Sequence, residues 1–274
     1  MPKENKKKLF CEISPLTYKI SWARLCLLRN IKDFSGKEQF AKEKSIAKLP
    51  VSLYKHKSLI RRGLGNINMD LQENKALNLA IAAPKVNGVI IKPGETFSFW
   101  KLVGKPSAKS GYREGLTIKS GAPSSGTGGG MCQFTNLLHW LALHSPLDIT
   151  ERNHHNGLDL FPDYGRQVPF GCGTSILYNY LDYRLKNNTE NIFQIIVYTD
   201  QTHLCGELLS NAALPLAYHI QETDREFIKA DGVWRRRNKV YRNIVDKRSG
   251  KTVSRELISQ ANAKVCYDES FMPQ

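Results

Sequence analysis

Gly128-Gly129-Gly130-Met131-Cys132-Gln133 opens a segment that carries Phe134, Leu137, Leu138, Leu141 and Leu143 and meets no further Gly or Pro until Pro146. Apolar residues recurring three and four apart read as a buried helix over Met131–His144. The stretch before it, Ser120–Gly130, is almost all Gly, Ser, Thr, Ala and Pro and reads as a loop. Outward from this junction the chain mixes helix and strand signals. Leu71, Leu77, Leu79, Ala80 and Ile81 keep a helical period that stops before Pro84. Val89–Ile91 and Thr96–Trp100 read as strands around the turn Pro93-Gly94-Glu95, and Gly111–Lys119 as a third. Asp148–Arg152 reads as a strand, Asn153–Gly173 as loop, and Tyr178–Leu185 and Ile192–Tyr198 as strands about the turn Lys186-Asn187-Asn188. Short strands recur from Tyr218 to Asp246, among them Gly232–Lys239 and Lys239–Val245. The expected fold class is therefore α+β. A mixed core over 70–210 holds a Gly-rich loop leading into a buried, cysteine-bearing helix, between a basic helical extension (1–65) and a β-rich basic segment (215–274).

The 274 residues suffice for one large domain or a core with attachments, and 41% hydrophobic with 24% charged residues excludes collagen-like and wholly disordered chains. The formal charge of +15 is unevenly placed. Residues 1–62 hold 16 Lys/Arg against 5 Asp/Glu and residues 225–251 hold 10 against 3, while 63–224 hold 12 against 14. Basic flanks of this kind suit an anionic membrane surface, nucleic acid or an anionic metabolite. In the second flank the charges alternate with Val233, Trp234, Val240, Tyr241 and Ile244, which reads as a solvated β-face and argues against a nucleic-acid partner. Neither an apolar signal-peptide core nor a stretch of about 18 uninterrupted apolar residues occurs, so a cytoplasmic chain is expected, with peripheral membrane attachment through Ile20–Leu28 as a variant.

Six cysteines without a CxxC pair are too sparse for a disulfide scaffold, and most are expected to be small buried hydrophobes. Cys132 differs. At the first turn of a helix, unpaired amides and the helix dipole favour an anion, which is expected to lower the thiol pKa and make a nucleophile. The amides of Gly128, Gly129 and Gly130 and the side chain of Gln133 are candidate oxyanion donors. His154 and His155, in the polar segment Glu151–Asn156, are candidate general bases. His139 and His144 lie further along the cysteine's own helix and read as structural. Cys132, His154 and His155 lack a fourth ligand, so no metal is expected.

Several of these stretches together resemble the VanW family. They are Gly94-Glu95-Thr96-Phe97-Ser98-Phe99, Gly111-Tyr112, the Gly128–Gln133 run, Glu151-Arg152 through His155, and Tyr180-Leu181-Asp182-Tyr183 with Lys186-Asn187-Asn188-Thr189. The resemblance covers about residues 70–210. It implies an accessory role in vancomycin resistance and, from exported relatives, cysteine-dependent L,D-transpeptidase chemistry on peptidoglycan stem peptides without a cofactor. Carried over, the nucleophile falls on Cys132 and the family histidine on His155. Asn153 stands where many relatives carry another His, and Gly173 where many carry Asp. Candidate supporting groups are then His154, Glu151, Arg152, Asp163, Ser175 and Asp182. Two rival roles follow from the missing export signal: a cytoplasmic enzyme on nucleotide-linked precursors, whose phosphates suit the basic flanks, and a non-catalytic accessory that binds precursor or another resistance-cluster protein.

Overall fold

A computed structural model describes residues 9–62, 69–119, 122–154, 157–163 and 166–272. The chain opens with helices α1 (Phe10–Ile13) and α2 (Pro15–Ser35), then strands β1 (Gln39–Phe40) and β2 (Val51–Leu59). Helix α3 (Met69–Val86), strands β3 (Val89–Ile91) and β4 (Glu95–Ser98), and helix α4 (Phe99–Val103) follow. Next come the hairpin β5 (Glu114–Lys119) and β6 (Ala122–Thr127), helix α5 (Met131–Leu143), β7 (Asp148–Glu151), β8 (Leu158–Asp159), β9 (Arg184–Lys186), β10 (Phe193–Thr199) and β11 (His203–Ser210). Three long strands, β12 (Leu216–Ala230), β13 (Val233–Asp246) and β14 (Thr252–Val265), close the chain. The molecule is a mixed α+β structure with a β-rich C-terminal part.

One antiparallel sheet runs β2-β11-β10-β3, and α3 and α5 lie on it. Its core-facing Phe193, Ile195, Val197, Leu204 and Leu208 pack with Leu79, Phe134, Leu137, Leu138 and Leu141 in one cluster of buried side chains. A second sheet, β1-β4-β9-β7, adds Phe97 and Leu185 to that cluster, and a third runs β12-β13-β14-β8. Helix α5 begins at the expected residue and stops one short of the expected end, because its interior carries the apolar period and His144 serves as its C-cap.

Other expectations need correction. The basic N-terminal stretch is helical only to Ser35 and then supplies two strands; in the longer one, Val51–Leu59, half-buried and exposed residues alternate on either side of an irregularity at Leu53, with Lys55 and Lys57 on the exposed side. Ala122–Thr127, read as loop from its Gly, Ser and Pro content, is a strand paired residue for residue with β5; among the described residues of that stretch only Gly128–Gly130 remains a turn, and Ser120 and Gly121 lie outside them. Helix α3 runs through Pro84 to Val86, which is possible because a proline two residues from the end forfeits a single backbone bond. The two strands read within 232–245 are one continuous strand.

Helix α2 is capped by Ser14, whose Oγ accepts from Thr17 N at 3.2 Å, with Pro15 at the first helical position. Guanidiniums hold its inner face to the body. Arg29 donates to both Glu151 oxygens at 2.6 and 2.7 Å, and Arg184 donates to both Asp33 oxygens at 2.8 Å. Arg184 Nε also reaches Asp182 Oδ2 at 2.9 Å. The side chains of Asp33, Asp182 and Arg184 are all buried there, so removing the cation leaves Asp33 with Lys101 alone, at 3.0 Å, and Asp182 with neutral donors only. Arg184→Met is therefore expected to lower stability by about 3 kcal/mol and to raise amide exchange along α2. An unchanged denaturation midpoint would show that Asp33 and Asp182 reach water without it.

Candidate active site

A cavity of about 480 Å³ opens beside the start of α5. Its walls come from the first turns of α5, from β2 and β5, from Lys75 of α3, and from the segments on either side of Phe161 and Phe170. Cys132 is the second residue of α5, near the helix start as expected, half-buried, and lines the cavity. The conformational freedom of the glycines serves the protein's own packing. Gly129 lies so close to β5 that a Cβ would stand 2.2 Å from the Gly115 carbonyl carbon. Gly130 has φ +104°, and a Cβ there would meet Lys75 Cγ at 2.4 Å.

The expected oxyanion donors are mostly engaged. Gly128 N donates to Arg113 O at 2.9 Å, Gly129 N to Gly126 O at 3.1 Å, and Gln133 N to Gly130 O at 2.9 Å. The Gln133 side chain lines the cavity, but its Nε2 donates to Ser58 Oγ at 2.9 Å and to Leu59 O at 2.8 Å, tying α5 to β2. Among the described residues the amides of Gly130 and Met131, where the helix opens, have no backbone acceptor outside it and remain for an incoming oxyanion.

The thiol pKa also departs from expectation. Burial pushes Cys132 up, and the backbone amides of Ile176 and of Cys132 itself, which pull it down, do not offset this. Desolvation of the thiolate outweighs the helix terminus, so the resting group is the protonated thiol and its activation requires a base.

His154 is a cavity residue. Its Nε2 would stand 3.2 Å from a Cβ on Gly173, and Asn136 Oδ1 would stand 3.8 Å from the same point, so His154 and Asn136 converge around that glycine. Asn136 follows Cys132 by one helical turn. Its Oδ1 accepts from Thr174 N at 2.6 Å and from Thr174 Oγ1 at 2.9 Å. Thr174 Oγ1 in turn sits 2.5 Å from Thr135 Oγ1. Arg152 donates to the carbonyls of Gly171 and Gly173 and so fixes this strip of backbone against the helix. Sequence reading missed Asn136, Thr174 and Lys75. For Asn136 the available signal was its i,i+4 spacing from Cys132, which places the two side chains on one face of the helix.

His155 lies outside the described residues. The remaining supporting candidates stand elsewhere. Glu151 accepts from Arg29 and from Asp182 N at 2.8 Å. Asp182 accepts from Ser98 Oγ at 2.5 Å and Trp100 N at 3.0 Å. Both belong to the ion network under α2 and neither lines the cavity. Asp163 is held by Arg236 at 2.6 Å, Arg166 at 3.1 Å and Arg225 at 3.4 Å; burial alone would raise its pKa, and these guanidiniums bring it below the ordinary value. Ser175 is buried, with its amide on Asn153 O at 2.7 Å.

His139 and His144 are structural as expected: His139 is buried with Nδ1 3.2 Å from Tyr183 Oη, and His144 stacks on Tyr54. The six cysteines are free, but only Cys172 and Cys205 are fully buried, fewer than expected. Among the described residues no three His, Cys, Asp or Glu side chains converge to hold a metal, and no helix is long and apolar enough to cross a membrane.

The model of the family described as VanW like protein matches residues 74–209, a span that contains Lys75, Cys132, Asn136, His154 and Thr174. The Vancomycin B-type resistance protein VanW of Enterococcus faecalis (strain ATCC 700802 / V583) is 33% identical over 219 residues, covering 80% of this chain and 79% of that protein. The uncharacterized protein YoaR of Bacillus subtilis (strain 168) is 28% identical over 118 residues, 42% of this chain and 36% of that one. No solved structure matches significantly.

Proposed function

The chain belongs to the VanW family, and from that premise we propose that it is a vancomycin-resistance accessory whose Cys132 takes up an acyl group from a peptidoglycan stem peptide or its precursor. The observation that carries this reading is the placement of Cys132, on the first turn of α5 in a cavity it shares with His154. In the reaction an imidazole removes the thiol proton, and sulfur attacks the carbonyl carbon of an amide that involves a D-amino acid. The oxygen takes the negative charge beside the amides of Gly130 and Met131. The C–N bond then breaks, the imidazolium returns its proton to the leaving amine, and a thioester remains for an acceptor amine to attack. The family resemblance assigns the imidazole to His155; the position of His154 at the cavity makes it the second candidate.

A second reading, in which the cavity binds the precursor without chemistry, is favoured by the raised Cys132 thiol and by the engaged amides of Gly128 and Gly129. Intact-mass measurement separates the two. Incubation with a stem tetrapeptide amide is expected to add to Cys132 the mass of the donor less its leaving amine, and His155→Asn is expected to slow this by about a hundredfold or more. Wild-type protein that binds such donors and never acquires the mass would overturn the enzymatic reading and leave the binding one.

A further inference from the structure

Lys75 stands in the wall of the same cavity with 6% of its surface exposed. A lysine buried to that degree is ordinarily paired. Here no carboxylate or carbonyl pairs with it among the described residues, and the charges that act on it are the guanidiniums of Arg62 and Arg61. Burial first, and those two like charges after it, bring its pKa from 10.5 down to about 7. Its stem runs along Gly130, the residue before α5, at a distance that excludes any side chain there. The turn that launches the cysteine helix is thus shaped around this lysine.

The rest of the lining has the same sign. Lys57, Arg62 and Arg166 share the walls with Lys75. Asp159 is the lining carboxylate among the described residues, and it is already met by Tyr267 Oη at 2.8 Å and Arg236 at 3.4 Å. A pocket of this composition lacks a counter-charge that the protein itself does not supply.

We propose that the cavity takes an anion beside Cys132, a carboxylate or phosphate of the bound molecule, and that Lys75 is its anchor. The inference rests on reading the cavity as the substrate site, and it does not require chemistry at Cys132. Two sources fit the shared chemistry: the terminal carboxylate of a peptide ending in D-alanine, and the diphosphate of a nucleotide-linked precursor. A lysine ammonium suits either as a point charge, and a charge-assisted bond in a site shielded from water is stronger than one at the surface.

Calorimetric titration of the full chain at about physiological salt tests this with three probes: acetyl-D-alanyl-D-alanine, its C-terminal amide, and uridine diphosphate. At least one anion is expected to bind, and at least tenfold more weakly to Lys75→Met. Binding of the dipeptide but not its amide assigns the carboxylate, and binding of the nucleotide assigns the phosphate. Equal binding to wild type and Lys75→Met, or binding of neither anion, overturns the proposal. Should Lys75→Met not fold, trace acetylation of wild-type protein decides: a saturating anion is expected to protect Lys75 at least fivefold while leaving exposed Lys55 unchanged, and an unprotected Lys75 overturns the anchor. Both measurements are repeated in Cys132→Ser. Anion binding that persists where wild-type protein forms no thioester leaves the anchor standing and removes the acyl-transfer reading alone.

Discussion

Replacing Lys75 by Met is expected to raise the stability of the chain on the order of 4 kcal/mol at pH 6 and to change it little above pH 10.5. The sign follows from linkage. The folded state holds Lys75 near 7 and the unfolded chain holds it at 10.5, so between those values the unfolded state binds more protons. Wild-type stability therefore rises with pH across that window. Below it the ammonium is present in both states, and folding carries the full cost of burying it. Methionine fills nearly the same stem volume against Gly130 and carries no charge, so the difference between variant and wild type is greatest on the acid side and fades through the window. Paired thermal melts at pH 6 and pH 10.5 check this. Equal shifts at the two pH values, or a variant that is less stable at pH 6, would show that Lys75 finds a counter-charge in the resting protein. A charge kept at such a cost to stability is a signature of a site held ready for a ligand.

Local signals were readable in the sequence and distant ones were not. Helix α5 was legible because Phe134 to Leu143 keep one period without interruption, and the same residues form the centre of the core. Strand β6 was not, because Ser124, Ser125 and Gly126 have low strand propensity, and their pairing with Thr117, Leu116 and Gly115 is a property of the partner strand. The site divides in the same way. The place of Cys132 at a helix start is local. The direction of its thiol pKa depends on burial that arises only in the assembled fold, which outweighs the backbone amide of the distant Ile176, and so went the other way. Glu151 and Asp182 looked like catalytic support because they flank the histidines and a family motif. Glu151 is met by Arg29, some 120 residues earlier, and Asp182 shares Arg184 with Asp33, some 150 residues earlier, and nothing local announces those contacts. Lys75 was invisible for the converse reason. In sequence it is one lysine in an amphipathic helix, and its isolation emerges only when α3 is laid against Gly130.

Cys132→Ser is expected to fold as the wild type does and to abolish both the covalent adduct and whatever the chain contributes to vancomycin resistance in a host that carries the partner genes. The substitution is nearly isosteric at a half-buried position, so no cavity opens and the fold is not at stake. The chemistry is. A thiol whose pKa burial has raised still deprotonates far more readily than an alcohol, and an imidazole that manages the first step with Cys132 has little prospect with serine. The same raised pKa fixes the pH profile of the wild type. Because the resting group is the thiol, the rate of adduct formation should climb as pH rises through neutrality toward the thiol's elevated value. A flat profile from pH 6 to pH 9 would indicate a preformed thiolate–imidazolium pair and contradict the protonated resting state. Resistance is the deciding measurement. Full resistance from a folded Cys132→Ser protein would end the enzymatic reading for this chain. In that event the lining cations, and not the sulfur, must carry the function, so Lys75→Met should then be the variant that loses resistance.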